Sequence, residues 1–114
     1  MNNSRRKVLR KVLALMQTLE RTENNDTLIE KLKQAANDLE CAMDEENDSM
    51  DCLPENIQMS DMACRLAENC DYLSDALCSM EVVVETYETS DIDPYQLCSE
   101  DVVSVIDNIN KAIL

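Results

Sequence analysis

The chain has 114 residues, of which 24 are acidic and 10 basic, giving a formal net charge of −14, and 45% of them are hydrophobic. It contains no Gly, Phe, Trp or His, so β-favouring aromatics, the commonest general base and phosphate-cradling loops are missing. The composition therefore predicts an all-α, non-enzymatic protein with one domain spanning 1–114, and its apolar content argues against wholesale disorder.

The charge is distributed unevenly along the chain. Between Gln34 and Asn110 there are 20 acidic residues and one basic residue, Arg65, whereas the first 33 residues are net positive. Charged surfaces normally intersperse both signs. An acidic block of this kind is expected to repel nucleic acid and to attract basic proteins.

The first predicted element is a basic helix over residues 4–22. Its opening turn carries Arg5, Arg6 and Lys7 against the positive end of the helix dipole. These cations are either solvated, or contact an acidic partner or the chain's own acidic block. One helix face is marked by apolar residues spaced three and four apart: Val8, Leu9, Val12, Leu13, Leu15, Met16 and Leu19.

An acidic helical hairpin is predicted over residues 26–89. Asp26 has the chemistry to cap a second helix that runs from Thr27 to about Met50, and Leu53 before Pro54 ends it. The apolar seam of this helix is interrupted after Met43 and includes Glu46.

The third helix is predicted to be capped by Ser60 or Asp61 and to carry an unbroken heptad seam. From Asp61 to Glu88 this helix would be about 42 Å long. The β-branched run from Val82 to Val84 suggests a second contact surface. A seam of this kind favours self-association, and its residues are Leu66, Cys70, Leu73, Leu77, Met80 and Val84.

A C-terminal helix is predicted over residues 94–113. Asp93 and Gln96 have capping-box spacing around Pro94, and a last helix is expected to start at Ser99. The predicted buried face of that helix comprises Val102, Val103, Ile106, Ile109 and Ile113. The fold is thus expected to be an antiparallel helical hairpin or bundle of three long helices and one or two short ones.

The six cysteines are interpreted as reduced thiols. They include no C-x-x-C pair, the chain has no His, and no export signal accompanies them. No metal or other cofactor is expected. Without an apolar run long enough for a membrane span, the expected location is the cytoplasm.

An acidic face is the predicted partner-binding surface. Carboxylates repeating every seven residues are about 10.5 Å apart, so one helix carries a sparse copy of the phosphate spacing of DNA and two adjacent helices carry a fairer one. The alternative is that the acidic face only keeps the helical bundle in solution. The residues assigned to this face are Asp44, Glu45, Asp48 and Asp51 on the second helix and Glu68, Asp71, Asp75, Glu81, Glu85 and Glu88 on the third.

The opening Arg5-Arg6-Lys7, the stretch from Asp44 to Glu46 and the stretch from Leu53 to Ser60 together resemble a family of small acidic helical proteins of bacteriophages and integrated mobile elements. That family pairs an R-R-K start with E-E-x-x-x-D-x-x-P-E-x-x-Q-x-S, and similar places here are filled over about residues 1–88. The chain departs from the family after Ser60, where members often carry a Gly. The residues in closely similar places are Arg5, Arg6, Lys7, Glu45, Glu46, Asp51, Pro54, Glu55, Gln58 and Ser60, followed by the similar stretch from Asp71 to Leu77.

The resemblance implies a mobile-element protein in the cytoplasm of a bacterial host. Small acidic proteins of such elements often block a host protein, restriction or CRISPR components among them. The leading hypothesis is an inhibitor that binds a basic host protein such as a nuclease, without binding nucleic acid or membrane itself. Two alternatives remain: an assembly module that forms a homo-oligomer through the heptad seam, and a sensor that holds a small ligand between helices.

Overall fold

The computed structural model describes residues 3–52, 61–90 and 93–113. Four α-helices and a 3₁₀ turn account for nearly all of them: α1 (Asn3–Thr18), the 3₁₀ turn (Leu19–Arg21), α2 (Asp26–Asp51), α3 (Asp61–Thr89) and α4 (Pro94–Ile113). No strand occurs in these ranges. The all-α prediction is confirmed.

Helix α1 exists because its apolar residues share one face. Leu9, Val12 and Met16 are buried on it, and Leu19 continues this stripe into the 3₁₀ turn. The spacings of three and four between them are those of one helix face. The turn ends at Thr22, whose backbone N–H donates to the carbonyl of Leu19 at 3.2 Å.

The start of α2 corrects the predicted cap. Helix α2 begins at Asp26, and the side chain of Asn25, not that of Asp26, accepts a hydrogen bond from the backbone N–H of Leu28 at 2.8 Å. The carbonyl of Asn25 also accepts the first helical bond, from Ile29 at 3.0 Å. Asn25 is therefore the N-cap. The predicted end of this helix at Pro54 lies outside the described residues, as does the Ser60 cap of α3.

Helix α3 lies between α2 and α4, and α1 packs against the same two helices. The α2–α3 pair is antiparallel, because the end of α2 meets the start of α3 at Glu46 and Asn69 while Lys33 meets Glu88 at the opposite end. Arg5 at the start of α1 contacts Glu46 near the end of α2, so this pair is antiparallel as well. The molecule measures 54 × 21 × 20 Å.

Helix α4 has the predicted bounds and is kinked next to Ser99, where a last helix was expected to start. It begins at Pro94, as predicted, and spans 20 residues with a non-helical Cys98 at φ −122° and ψ 21°. The buried face of α4 differs from the predicted one, because Val103 is 59% exposed whereas Val105 is fully buried. The buried residues are spaced alternately by four and three, and Val103 lies outside that series: Cys98, Val102, Val105, Ile109 and Ala112.

The three consecutive valines of α3 divide between core and surface. Val83 is fully buried, Val84 is half-buried and Val82 remains 44% exposed. Helices α2 and α4 both cover α3, so two of the three valines are packed against neighbouring side chains. Burial of this kind suits β-branched residues. The expected second contact surface is thus partly supplied by the neighbouring helices.

Candidate functional site

The residues of the predicted acidic face are all exposed in the structure. On α3 this follows from the packing, since Leu73, Met80 and Tyr87 point into the core and leave the opposite side of the helix to solvent. From Leu66 to Ser90 the chain contains no basic residue. From Leu66 onward the exposed side of α3 therefore presents carboxylates without interspersed cations of its own.

The acidic face is not one continuous patch. Glu45 lies in the groove between α1 and α2, where its carboxylate is 3.7 Å from a terminal nitrogen of Arg5. Glu68 is 3.9 Å from Arg65, and the same Arg65 donates to the carbonyl of Lys111 on α4. Both acids lie within ion-pair distance of a cation of the chain itself, so they are poorer candidates for partner contact than the other exposed carboxylates.

A shallow groove of about 310 Å³ runs between α2 and α3. The half-buried Ala36 and Val84 line it together with charged side chains from both helices. The charged members of its lining are Lys33, Glu81, Glu85 and Glu88. The structure thus brings three predicted acidic residues together beside an apolar surface.

One of these carboxylates is paired with a cation of the chain itself. The Nζ atom of Lys33 lies 2.6 Å from Oε1 of Glu88, with both side chains exposed. The hydrogen bond to Glu88 and the charge of that carboxylate raise the pKa of Lys33. Glu88 is consequently less available to a partner than Glu81 or Glu85.

The residues assigned to a self-association seam are placed largely inside the single chain. Leu66, Leu73 and Met80 are buried, and Cys70, Leu77 and Val84 are half-buried. The heptad pattern is used to pack α3 against its neighbours. A homo-oligomer built on Leu73 or Met80 would have to displace a helix of the same chain.

The main feature that the site prediction lacked is a buried polar cluster at one end of the molecule. Glu46 is fully buried, and its Oε1 lies 3.0 Å from Nε of Arg5. The contact is an ion pair between opposite charges, and both side chains are largely shielded from solvent. Arg5 also donates to the hydroxyl of Ser49 at 3.1 Å, and the buried Asn69 donates to Oε2 of Glu46 at 3.0 Å.

This cluster identifies what one of the N-terminal cations does. Arg5 contacts the chain's own acidic block, whereas Lys7, Arg10 and Lys11 are exposed. The sequence signal was the charged Glu46 at a seam position of α2, because a buried carboxylate requires a counter-charge. The spacing of residues within α2 cannot identify a partner 41 positions earlier in the chain.

Within residues 3–52, 61–90 and 93–113, no three His, Cys, Asp or Glu side chains are grouped so as to hold a metal ion. All six cysteines are free thiols, and burial raises the pKa of Cys70 and brings that of Cys98 to about 11. Thiols in such surroundings are poorly ionised and weak nucleophiles.

None of the described helices has the combined length and apolarity needed to cross a bilayer. Comparison with protein-family models, curated proteins and solved structures finds no match to this chain.

Proposed function

We propose that this protein is a non-enzymatic binding protein whose acidic surface on α2 and α3 engages a basic surface of another protein. The observation that carries this proposal is the row of exposed carboxylates on α3 from Asp71 through Asp75 and Glu81 to Glu85. At 1.5 Å per residue this row is about 21 Å long.

The electrostatics favour a basic protein over nucleic acid as the partner. A surface that carries one sign of charge over this distance accelerates association with the opposite sign and repels phosphates. The charges are fixed on a long helix that two others cover, so little backbone ordering is needed on binding. The matching partner is therefore a protein with a basic groove.

Proteins that handle nucleic acid have such grooves, because they neutralise phosphates with Lys and Arg. We propose a host nuclease or a defence protein, a restriction or CRISPR component among them, as the class of partner. By occupying the basic groove, the acidic surface would exclude nucleic acid and inhibit the partner. The family resemblance noted in the sequence supports a bacterial host and its cytoplasm as the setting.

The test is affinity capture from a bacterial host lysate with two baits of equal charge. In the first bait Asp71 and Asp75 become Asn and Glu81 and Glu85 become Gln. In the control, four exposed acids elsewhere become Gln: Glu20, Glu23, Glu30 and Glu100. We expect the wild type and the control to retain a nucleic-acid-handling protein that modest salt releases, and the first bait to lose it.

Purified partner then provides the functional readout. Its nucleic-acid binding or cleavage should decrease on addition of the wild-type protein and of the control, but not on addition of the four-fold α3 variant. Equal capture by all three baits would contradict binding through the acidic surface. Recovery of nothing but the bait would contradict the proposal of a host partner.

A further inference from the structure

The groove between α2 and α3 combines apolar surface with exposed carboxylates. Its lining includes the half-buried apolar side chains of Ala36 and Val84, and the carboxylates of Glu81 and Glu85 stand beside them. A ligand that fills such a groove needs an apolar stem and a cationic end. Both requirements are met by the long basic side chains of proteins.

Arginine fits the spacing of the carboxylates better than lysine. Glu81 and Glu85 are four positions apart on one helix, which places their Cβ atoms about 5–6 Å from one another. A planar guanidinium with five donors can contact two carboxylates at once, whereas an ammonium is a compact and strongly hydrated point charge. The guanidinium is also weakly hydrated and packs readily on the apolar surface of Val84.

The groove already holds a cation of this chain at one side. Lys33 is bound to Glu88, but Glu81 and Glu85 contact no cation among the residues that the structure describes. With the Lys33–Glu88 pair neutral, the lining keeps two negative charges. It therefore attracts an added guanidinium, which would neutralise one of these two charges.

We infer that the groove lined by Ala36, Val84, Glu81 and Glu85 is a binding site for an arginine side chain of the basic partner. This inference rests on the proposed function and names the residue type through which that function operates. The methylene stem packs on Ala36 and Val84, and the guanidinium bridges the two carboxylates. Lys33 competes with the guanidinium for the carboxylates of the groove, because its ion pair with Glu88 makes that carboxylate less available to the ligand.

The experiment uses the full chain and two blocked octapeptides, one alternating arginine with glycine and the other lysine with glycine. Binding is measured by calorimetry and by the NMR shifts of the Val84 methyl and Ala36 methyl groups. We expect the arginine peptide to bind about tenfold more tightly than the lysine peptide, in keeping with bidentate contact. Shifts should be saturable and centred on the groove.

Variants with equal loss of charge distinguish binding in the groove from attraction by the overall negative charge of the protein. Glu81→Gln with Glu85→Gln should weaken the arginine peptide about tenfold. Asp71→Asn with Asp75→Asn removes the same charge from the same helix and should weaken it by about threefold or less. Thermal unfolding of each variant confirms that the fold persists.

Two further substitutions test the apolar stem and the competing cation. Val84→Thr keeps the shape of the side chain but makes the surface polar, so it should reduce the preference for arginine over lysine. Lys33→Gln releases Glu88 and should strengthen binding, whereas Lys31→Gln on the same helix should do so less. Both lysines are exposed, which makes them a matched pair.

The results also separate this inference from the proposed function. If both peptides bind equally and the two double variants weaken them equally, the arginine site is wrong while binding of a basic partner through diffuse charge stands. If neither peptide binds at low salt, both the site and the proposed function are wrong.

Discussion

The Nε atom of Arg5 lies 3.0 Å from Oε1 of Glu46, whose side chain is fully buried. This pair connects the first turn of α1 to the last turns of α2, and Asn69 extends the connection to α3 by donating to the other carboxylate oxygen. Three helices thus depend on one buried charge for their relative position at this end of the molecule.

We expect Arg5→Met to lower the free energy of unfolding by roughly 3 kcal/mol, because it leaves the Glu46 carboxylate buried without its counter-charge. Arg10→Met is the matched control. Arg10 is exposed on the same helix, and the change should alter stability by no more than about 0.5 kcal/mol. Urea unfolding followed by circular dichroism measures both values, and equal stability of the two variants would contradict the role of the pair.

A second substitution distinguishes lost charge compensation from lost packing. Glu46→Gln removes the buried charge but keeps an amide oxygen that can accept from Asn69. Added to Arg5→Met it should recover stability, whereas added to the wild type it should cost stability, so the two changes should be strongly non-additive. Additive losses would show that Arg5 acts through its methylene stem instead.

The N-cap of α2 offers a second prediction. Asn25→Ala should destabilise the protein by about 1 kcal/mol, because the N–H of Leu28 loses its acceptor. Asn37→Ala is the control, since Asn37 is exposed in the middle of the same helix and Ala is a better helix former there. Thermal unfolding compares the two. If Asp26→Ala lowered the stability more than Asn25→Ala did, Asp26 would be the N-cap and this assignment would be wrong.

This cap illustrates where sequence patterns succeed and where they stop. Neighbouring Asn25 and Asp26 are both good N-cap residues, so composition locates the start of α2 to within a residue but cannot choose between them. The same holds for α4. Its start at Pro94 follows from backbone restriction, whereas the exposure of Val103 depends on how the helix is rotated against its neighbours.

The candidate site was predictable only in part, because part of it depends on contacts between helices. Helical spacing alone predicts that the carboxylates of α3 are exposed. The groove also requires the register that brings Lys33 beside Glu88, and register depends on packing between residues far apart in sequence. For Glu46, the position in the seam predicts that the side chain is buried. Its pairing with Arg5 cannot be predicted in the same way, because it depends on how α1 packs against α2.

The cysteines should differ widely in their reactivity toward an alkylating reagent. Cys41, Cys52, Cys64 and Cys78 are exposed, whereas Cys98 is buried and its pKa is raised to about 11 by that burial and, to a lesser extent, by the charge of Asp101. At about pH 8 little Cys98 thiolate is present, and thiolate is the reactive form.

We expect brief alkylation of the native protein to modify the four exposed thiols first and Cys98 last. Peptide mass mapping after quenching assigns each modification. The control is the same reaction in concentrated urea, where burial is lost and all six thiols should react at similar rates. Native-state modification of Cys98 as fast as that of Cys78 would show that the kinked start of α4 opens readily.

Tyr87 provides a prediction for alkaline pH. Burial raises the pKa of its hydroxyl from the ordinary tyrosine value of 10.0 to about 12, so the native state favours the protonated form. The stabilisation from this preference is fully present below about pH 10 and is lost as pH rises through about 12. Ionisation of Cys98, whose pKa rises from 9.0 to about 11, weakens the fold over a lower pH window.

Tyr87→Phe should therefore reduce the loss of stability between about pH 10 and pH 12. At neutral pH it should be neutral or stabilising, because the buried hydroxyl has no hydrogen-bond partner in the part of the chain that the structure describes. Tyr72→Phe, on the same helix and half-buried, controls for the removal of a tyrosine. Urea unfolding at several pH values measures the effect. A clear destabilisation of Tyr87→Phe at neutral pH would mean that the hydroxyl has a bound partner, such as an ordered water, that stabilises the core.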